Sequence, residues 1–368
     1  MLEISPGSID QFPAFLERLP PGLDIEVLAR REKAFRRPRG VRSGTDLLRL
    51  ALAWACGGHS LQHIAAWAGE RAIATVTDEA LIQRFHGMVP FMKALTGELL
   101  GRTRAIPCWH GRCVRIADGS SLSGPASKGT DWRIHGVFDL AHGGFSHLEL
   151  TDGRGGEALD RGVPVAGEIR IADRGYANAQ AWQRYLSARD QRCDFVVRMR
   201  WNTIALVGED GKPFDTIGWV RTRPAETEVH EIAVRARSGK HRTPIPVRLI
   251  ARRKTPAAIE KAHADLRRHA SRKQHAIDPR SYVAAEYLVL ATSLAAEDYP
   301  AGEILAVYRL RWQIELAFKR LKSLIRIDEI RTRTDAGTQC WLYAHLIVAL
   351  LTEDINQDLL DSFPSGPC

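Results

Sequence analysis

Apolar residues recur at helical spacing over residues 45–100, where leucine, alanine and tryptophan return every three or four positions. Side chains that can cap a helix N-terminus precede two of these runs: Ser60 before LQHIAAWA, and Thr77 or Asp78 before EALIQRFHGM. The pattern predicts a small helical region in the first part of the chain.

Short β-type runs replace the helical pattern from about Pro107. Five of them, rich in β-branched and aromatic residues, are separated by Gly and Asp: CVRIADGSS, WRIHGVFDL, FSHLELTDG, EIRIADRGY and CDFVVRMR. A helical stretch, Asn178–Arg189, follows the fourth run, and helical spacing returns over Ala301–Ile325 and near Gln339–Leu360. This order predicts an α/β fold with a mixed sheet and flanking helices.

Positive charge is concentrated in one segment before the last helices. Arg235–Arg280 holds fourteen Lys and Arg against three Asp and Glu, a net charge of +11 that exceeds the +9 of the whole chain. Within it, Thr255-Pro256 followed by AAIEKAHADLRRHASRK predicts an N-cap, a proline in the first turn and a basic helix. Arg30–Arg42 is basic too, and it is interpreted either as an arm on DNA phosphates or as a solvated linker.

Composition excludes several classes of protein. With 368 residues and 45% hydrophobic content, the chain can form two or three domains with real cores, which excludes disorder as its main state. Six scattered cysteines lack C-x-x-C spacing, so neither a disulfide framework nor a zinc ribbon is expected. Cys108-x-His110-x2-Cys113 has no second pair, and DGRGGE lacks the pattern of a nucleotide-binding loop. We therefore expect no nucleotide cofactor.

The chain also lacks signals for a membrane or for secretion. Its first residues, MLEISPGSIDQFP, do not have the basic start and apolar run of a signal peptide. The longest apolar stretch, Trp341–Leu351, is about half of the roughly 20 residues that a membrane span requires. We expect a soluble, cytoplasmic protein.

Two of the predicted strands end in an aspartate placed alike, Asp118 in VRIADG and Asp173 in IRIADRG. A single aspartate at a strand end commonly caps a turn, and this is the alternative for either residue alone. On neighbouring strands, however, the two carboxylates would meet, and a divalent cation such as Mg²⁺ or Mn²⁺ would neutralise them.

The helix predicted at VYRLRWQIELAFKRLKSLI carries polar residues along one edge. At about 100° per residue, these share an arc of about 60°: Tyr308, Arg311, Glu315 and Lys322. The neighbouring arc is apolar and holds Val307, Leu310, Ile314, Ala317, Phe318, Leu321, Leu324 and Ile325. Surface ion pairs, of Arg311 with Glu315 and of Glu315 with Lys319, are the alternative explanation of the polar edge.

The spacing Tyr308-x2-Arg311-x3-Glu315-x6-Lys322 resembles the Tyr-Arg-Glu-Lys signature of DDE transposases of the insertion-sequence-four type. The flanking sequence agrees with the same family: Asp118 in IADGSSL, His135 in RIHGVFDL, Gly156-Glu157 ahead of Leu159, Asp173 in IADRGY, and YLVLATSL before the helix. The similarity extends over about residues 43–352, most of the chain.

This resemblance implies a ribonuclease-H-like catalytic domain made of two parts, residues 106–200 and 283–368. A β-rich basic insertion, residues 201–282, would separate them, and an N-terminal helical DNA-binding region, residues 1–105, would precede them. The implied acidic triad is Asp118, Asp173 and Glu315, which would bind two Mg²⁺ or Mn²⁺ ions.

The resemblance further implies that Tyr308, Arg311 and Lys322 hold phosphates of the transposon end. The implied function is strand cleavage at the terminal inverted repeats of double-stranded DNA and strand transfer into target DNA, by two-metal phosphoryl transfer. A homodimer would hold the paired ends, at the nucleoid of a bacterial cytoplasm.

In the insertion we assign Arg252, Arg253 and Lys254 to DNA contacts. Trp201 and Trp219 could stack on a flipped base or pack in a core. A catalytically silent, domesticated DNA-binding protein is one alternative function, and a metal-dependent nuclease or phosphohydrolase of small substrates is another. Retention of all three carboxylates disfavours the first, and the large basic insertion disfavours the second.

Overall fold

A computed structural model of the chain describes residues 12–101, 108–127, 129–188, 192–222, 229–237 and 244–361. Its first helices are α1 (Phe12–Leu16), α2 (Ile25–Arg31), α3 (Gly44–Gly57), α4 (Leu61–Glu70), α5 (Asp78–Gly87) and α6 (Val89–Leu100). The hydroxyl of Ser60 accepts a hydrogen bond from the amide of His63, and the hydroxyl of Thr77 accepts one from the amide of Ala80. Ser60 is therefore confirmed as a cap, and Thr77 rather than Asp78 caps the other helix.

The described strands form one mixed sheet. They are β1 (Val114–Leu122), β2 (Trp132–Asp139), β3 (Gly144–Asp152), β4 (Ile169–Ala172), β5 (Asp194–Arg198), β6 (Leu206–Val207), β7 (Val229–Ala236), β8 (Ile245–Arg253) and β9 (Tyr287–Thr292). Their order is β3-β2-β1-β4-β5-β9-β8-β7-β6. Strands β1, β4 and β5 are parallel, and the other neighbours are antiparallel. The five predicted strands are β1 to β5, and the mixed α/β class is confirmed.

The remaining helices are α7 (Ala179–Leu186), α8 (Thr216–Arg221), α9 (Pro256–Lys273), α10 (Pro279–Ala285), α11 (Ala301–Tyr308), α12 (Trp312–Ile325) and α13 (Asp335–Asp361). As predicted, a helix follows the fourth strand, and a basic helix begins at Pro256. Residues 201–282 hold helices α8 and α9 as well as strands, and their strands extend the central sheet beyond β9. The division of the chain into four regions stays a prediction.

Side chains of the central strands alternate between two hydrophobic cores, one on each face of the sheet. Ile116 and Val196 face the core that contains the N-terminal helices and α11 to α13. Ala117 and Phe195 face the other core, which contains Trp182 of α7. Helix α13 contacts α3, α5, α6 and α12, and so joins the N-terminal helices to the rest of the first core. None of the described helices combines the length and the apolar character needed to span a membrane.

The prediction of one continuous helix at VYRLRWQIELAFKRLKSLI is wrong. Helix α11 ends at Tyr308, a 3₁₀ turn occupies Arg309–Arg311, and α12 starts at Trp312. A 3₁₀ turn advances about 120° per residue instead of about 100°, so three residues rotate the next helix by about 60°. Leu310, assigned to the apolar face, is accordingly 39% exposed.

The rest of that apolar face is largely as the sequence predicts. Ile314, Ala317, Phe318 and Leu321 of α12 are all buried. Helix α12 packs them against strands β1 and β2 and against α13. The neighbouring arc of the helix is left to present polar side chains at the edge of the sheet.

Candidate active site

The two strand aspartates lie at the same edge of the sheet. Strands β1 and β4 are parallel neighbours, and Ala117 is in register with Ala172. Asp118 and Asp173 directly follow these two residues, so the pairing brings them side by side. This is the arrangement that the matching strand ends predict.

Helix α12 approaches this edge closely because a glycine faces it from β2. Gly136 is in register with Asp118. A Cβ atom at Gly136 would lie 2.9 Å from Cζ of Phe318 and 2.7 Å from Cε1 of Phe145. The absent side chain therefore lets Phe318 settle on the sheet, and Glu315, one turn earlier on α12, reaches the region of Asp118.

Two residues before α12 connect the three carboxylates. Arg311 places Nη2 2.6 Å from Oε1 of Glu315 and Nη1 3.8 Å from Oδ2 of Asp118. Tyr308 donates a hydrogen bond of 3.4 Å from its hydroxyl to Oδ1 of Asp173. The four polar residues of the helix edge are thus not equivalent: Arg311 joins two carboxylates and Tyr308 contacts the third.

A cleft of about 500 Å³ opens beside these groups. Its lining includes Asp118, Glu315, Phe318, Lys322 and Asp328. Lys322 donates a hydrogen bond of 3.2 Å from Nζ to the carbonyl of Ser121 on β1. The cleft therefore has both negative and positive side chains, and Glu315 is more accessible than Asp118, with 53% of its side chain exposed against 19%.

Burial raises the pKa of Asp118 from its ordinary value to about 6. A hydrogen bond from the amide of Gly119 and the charge of Arg311 oppose this shift, whereas the negative charges of Glu157 and Asp173 add to it. A buried carboxylate beside other carboxylates favours a positively charged ligand that would restore its ionised form. The pKa of Tyr308 is raised by burial and by Asp173, so its hydroxyl stays a donor.

The donor set suits a hard divalent cation, because Asp118, Asp173 and Glu315 offer only carboxylate oxygens. Within the described ranges, no three His, Cys, Asp or Glu side chains stand in metal-binding geometry. In the structure it is Arg311 that links Asp118 to Glu315. The positive charge of Arg311 therefore already balances part of the negative charge of Asp118 and Glu315, at the place where the sequence predicts a metal ion.

Sequence reasoning gave no role to several residues that lie beside Asp173. Nη1 of Arg198, the last residue of β5, is 3.6 Å from Oδ1 of Asp173. Glu157 raises the pKa of Asp118 through its negative charge, and its own pKa is raised by burial and by Asp173. The sequence could have indicated Arg198, because it ends a strand parallel to β4. A side chain at that position lies at the same edge of the sheet as the two aspartates.

The basic residues assigned to DNA in the insertion lie at the same edge but are half-buried. Arg253 forms a 3.1 Å ion pair with Glu286, and Nζ of Lys254 donates a hydrogen bond to the carbonyl of Ala285. Burial and the charges of Arg198 and Arg174 lower the pKa of Lys254 to about 8. Arg252, in register with Leu288, is the third member of this group.

The two insertion tryptophans have partners within the chain. The guanidinium of Arg280 lies 4.4 Å from the centroid of the Trp201 ring, which is a cation–π contact. Trp219 is only 8% exposed and belongs to the second core. Trp219 therefore packs in a core, which is one of the two roles considered from the sequence. One face of Trp201 is covered by Arg280.

The family model described as the transposase DDE domain matches residues 109–351. The chain belongs to the DDE transposase family. This match covers both strand aspartates and the glutamate helix of the transposase. Proteins of this family act on DNA and depend on a divalent metal ion.

Curated relatives of this transposase match along almost its whole length. It is 34% identical over 360 residues to InsL of insertion sequence element IS186A from Escherichia coli strain K12, covering 97% of this chain and 96% of the relative. It is also 34% identical over 361 residues, with the same coverage, to the transposase of insertion sequence element IS421 from Escherichia coli. A piggyBac transposase synaptic complex with hairpin DNA shares a TM-score of 0.45 and 9% identity over 97% of this chain and 76% of that one, a likeness too remote to add to the argument.

Proposed function

We propose that this transposase cuts DNA at the terminal inverted repeats of its own insertion sequence and joins the ends to target DNA. The contact of Arg311 with both Asp118 and Glu315, beside the contact of Tyr308 with Asp173, is the observation that carries the proposal. These contacts connect the three proposed metal ligands to two residues of the predicted helix edge. The same residues support assignment to the insertion-sequence-four type.

Asp118, Asp173 and Glu315 would hold the divalent metal, and we propose two Mg²⁺ or Mn²⁺ ions. When bound, such ions activate a water or a 3′-hydroxyl and stabilise the leaving oxygen of an in-line phosphoryl displacement. Carboxylates from two strand ends and one helix give the site three rigid supports. The proposed ribonuclease-H-like fold is supported by strands β1 to β5, with an antiparallel meander leading to two parallel strands.

The basic side chains would position DNA against these carboxylates. Arg311 can exchange its contact with Asp118 or Glu315 for a phosphate, which its planar guanidinium can bind through two nitrogens. Lys322, at the cleft wall, would neutralise a neighbouring phosphate as a point charge. Tyr308 would fix the orientation of Asp173 through its hydroxyl.

The DNA path that we propose runs from this cleft along the sheet edge toward the insertion. Arg198 and Lys254 extend positive charge away from Asp173. Arg252 and Arg253 end β8 at the same edge. Because both ends of an element must be cut and joined, we propose that two copies of the chain act together on paired ends.

The test is cleavage of an end-labelled duplex that carries the terminal repeat flanking the gene. We expect strand cleavage in Mg²⁺ or Mn²⁺, none in chelator, and none on a duplex with a scrambled repeat. Asp173→Asn is the matched inactive control, since it keeps the size of the side chain and removes its charge. Cleavage at full rate in chelator, or by Asp173→Asn, would contradict the proposal. The silent DNA-binding alternative predicts repeat binding without cleavage by the wild type.

A further inference from the structure

A fourth carboxylate, Glu157, lies between the two strand aspartates, on the connection from β3 to β4. Its Oε1 is 3.3 Å from the position that a Cβ atom would take at Gly119, the residue after Asp118. A Cβ atom at Gly175, two residues after Asp173, would overlap Oε2 of Glu157. Glycines at both positions therefore leave room for one carboxylate to reach the backbone that follows each aspartate.

A buried histidine nitrogen faces the same gap. His135 on β2 is only 1% exposed, and its Nε2 lies 2.9 Å from the hydroxyl of Thr151. Its Nδ1 is 3.6 Å from the Cβ position of Gly119, beside Glu157, and has no hydrogen-bond partner in the part of the chain that the structure describes. Buried polar atoms are rarely left unpaired, so this nitrogen points to a polar group that occupies the gap, such as a water or a hydrated ion.

The contact of Glu157 with a basic residue leaves its carboxylate available. Nη1 of Arg133 is 3.8 Å from Oε1 of Glu157, which is beyond hydrogen-bond distance. Both side chains are close to 30% exposed, so an ion pair of this length contributes little to stability. A purely structural role for Glu157 is therefore poorly supported by its partners.

We propose that Glu157 is a further ligand of the divalent cation at Asp118 and Asp173, so that four carboxylates rather than three form the metal site. This inference rests on the proposed function. Hard oxygen ligands from a strand end and a neighbouring loop are what Mg²⁺ and Mn²⁺ prefer. The Nδ1 atom of His135 would hydrogen-bond to a polar group held in the same gap.

The test is Mn²⁺ binding by isothermal titration calorimetry on the full chain without DNA, so the readout does not depend on activity. We expect Glu157→Gln to weaken Mn²⁺ binding by about tenfold or more, with the melting temperature in chelator unchanged or raised. The matched control is Glu149→Gln, because Glu149 of β3 pairs with Arg161 at 2.8 Å. A lowered melting temperature with unchanged Mn²⁺ affinity would assign Glu157 a structural role and overturn the proposal.

Gly175→Ala tests the geometry without changing a charge. The new Cβ atom meets the far end of the flexible Glu157 side chain, so the carboxylate can move while the backbone stays in place. We expect Gly175→Ala to weaken Mn²⁺ binding as much as Glu157→Gln does. The double variant should lose no more Mn²⁺ affinity than either single variant does. Wild-type Mn²⁺ affinity in Gly175→Ala would contradict the placement of Glu157.

Asp118→Asn and Asp173→Asn separate the failure of this inference from failure of the proposed function. If both lose Mn²⁺ binding while Glu157→Gln keeps it, the metal site stands with three carboxylates and the inference about Glu157 falls. If all three variants bind Mn²⁺ like the wild type, the metal site itself is wrong, and the proposed function falls with it.

Discussion

The guanidinium of Arg311 lies 2.6 Å from the carboxylate of Glu315, across the junction between the 3₁₀ turn and α12. An ion pair four residues apart with half of one partner exposed contributes about 0–1 kcal/mol to folding. Asp118 is within 3.8 Å of the same guanidinium. The pair therefore matters for the placement of charge at the cleft more than for the stability of the fold.

Glu315→Gln is expected to reduce strand cleavage by several orders of magnitude, because it keeps the size of a proposed metal ligand and removes its charge. Binding of the repeat should persist or tighten, since one carboxylate fewer repels phosphate. Cleavage, DNA affinity and melting temperature should be measured together. Glu329→Gln, outside the cleft, is the matched control. Activity that falls only in proportion to melting temperature would show that Glu315 acts through folding.

Gly136→Ala is expected to destabilise the protein by about 1–3 kcal/mol, because its Cβ atom would press on Phe318 and Phe145. By displacing α12 it should also lower cleavage at temperatures where the variant stays folded. Denaturant unfolding and single-turnover cleavage measure the two effects. Gly97→Ala is the control, since nothing lies within 4 Å of the new Cβ atom. Equal behaviour of the two variants would mean that α12 does not depend on close approach at Gly136.

Asp118→Asn is expected to raise the melting temperature at pH 8 in chelator. The folded-state pKa of Asp118 is about 6, above its ordinary value of 3.8, so the folded state holds this proton more tightly than the unfolded state. Its contribution to stability is thus present at low pH and is lost as the pH rises from about 4 to 6. The variant should gain up to about 3 kcal/mol in the free energy of unfolding above pH 6, and this gain should shrink toward pH 4. If the difference in stability between Asp118→Asn and the wild type stayed the same from about pH 4 to pH 6, burial would not raise the pKa of Asp118.

Lys254→Gln is expected to reduce the slope of log DNA affinity against log salt by about one, if its ammonium neutralises one phosphate. The lowered pKa of Lys254, about 8, adds a pH effect: the wild type should bind DNA more weakly at pH 9 than at pH 7. Lys254→Arg keeps its charge and should lose less affinity over this range. If the DNA affinities of the wild type and of Lys254→Arg changed in the same way with pH, Lys254 would not contact the DNA.

The sequence predicts those parts of the fold that local pattern determines. Strands β1 to β5 correspond to short runs of β-type residues separated by Gly and Asp, and α9 begins at a proline. A few neighbouring residues are therefore enough to predict each of these elements. The 3₁₀ turn at Arg309–Arg311 is not visible, because nothing in its composition interrupts the helical spacing. Its consequence, the exposure of Leu310, depends on how α12 meets the sheet.

The site is predictable to the extent that its residues follow strand ends. Asp118 and Asp173 are found from their matching strands, whereas Glu157 lies in a loop, and its position beside Gly119 and Gly175 is known only from the fold. The pairing of Arg253 with Glu286 could not be foreseen either, since it needs β8 and β9 to be neighbours. Contacts between distant segments are what local pattern leaves out.

The order in which the ribosome makes these segments has a consequence for truncated products. Glu315 falls within the last 54 of 368 residues, and α13, which contacts α3, α5 and α6, is made later still. The helices synthesised first therefore finish their packing only when the last helix arrives. A chain that terminates before α12 retains its basic segments and both strand aspartates, but it has neither the third carboxylate nor a closed core. If Glu315 is a metal ligand as proposed, premature termination before α12 is expected to yield a fragment without strand-cleavage activity.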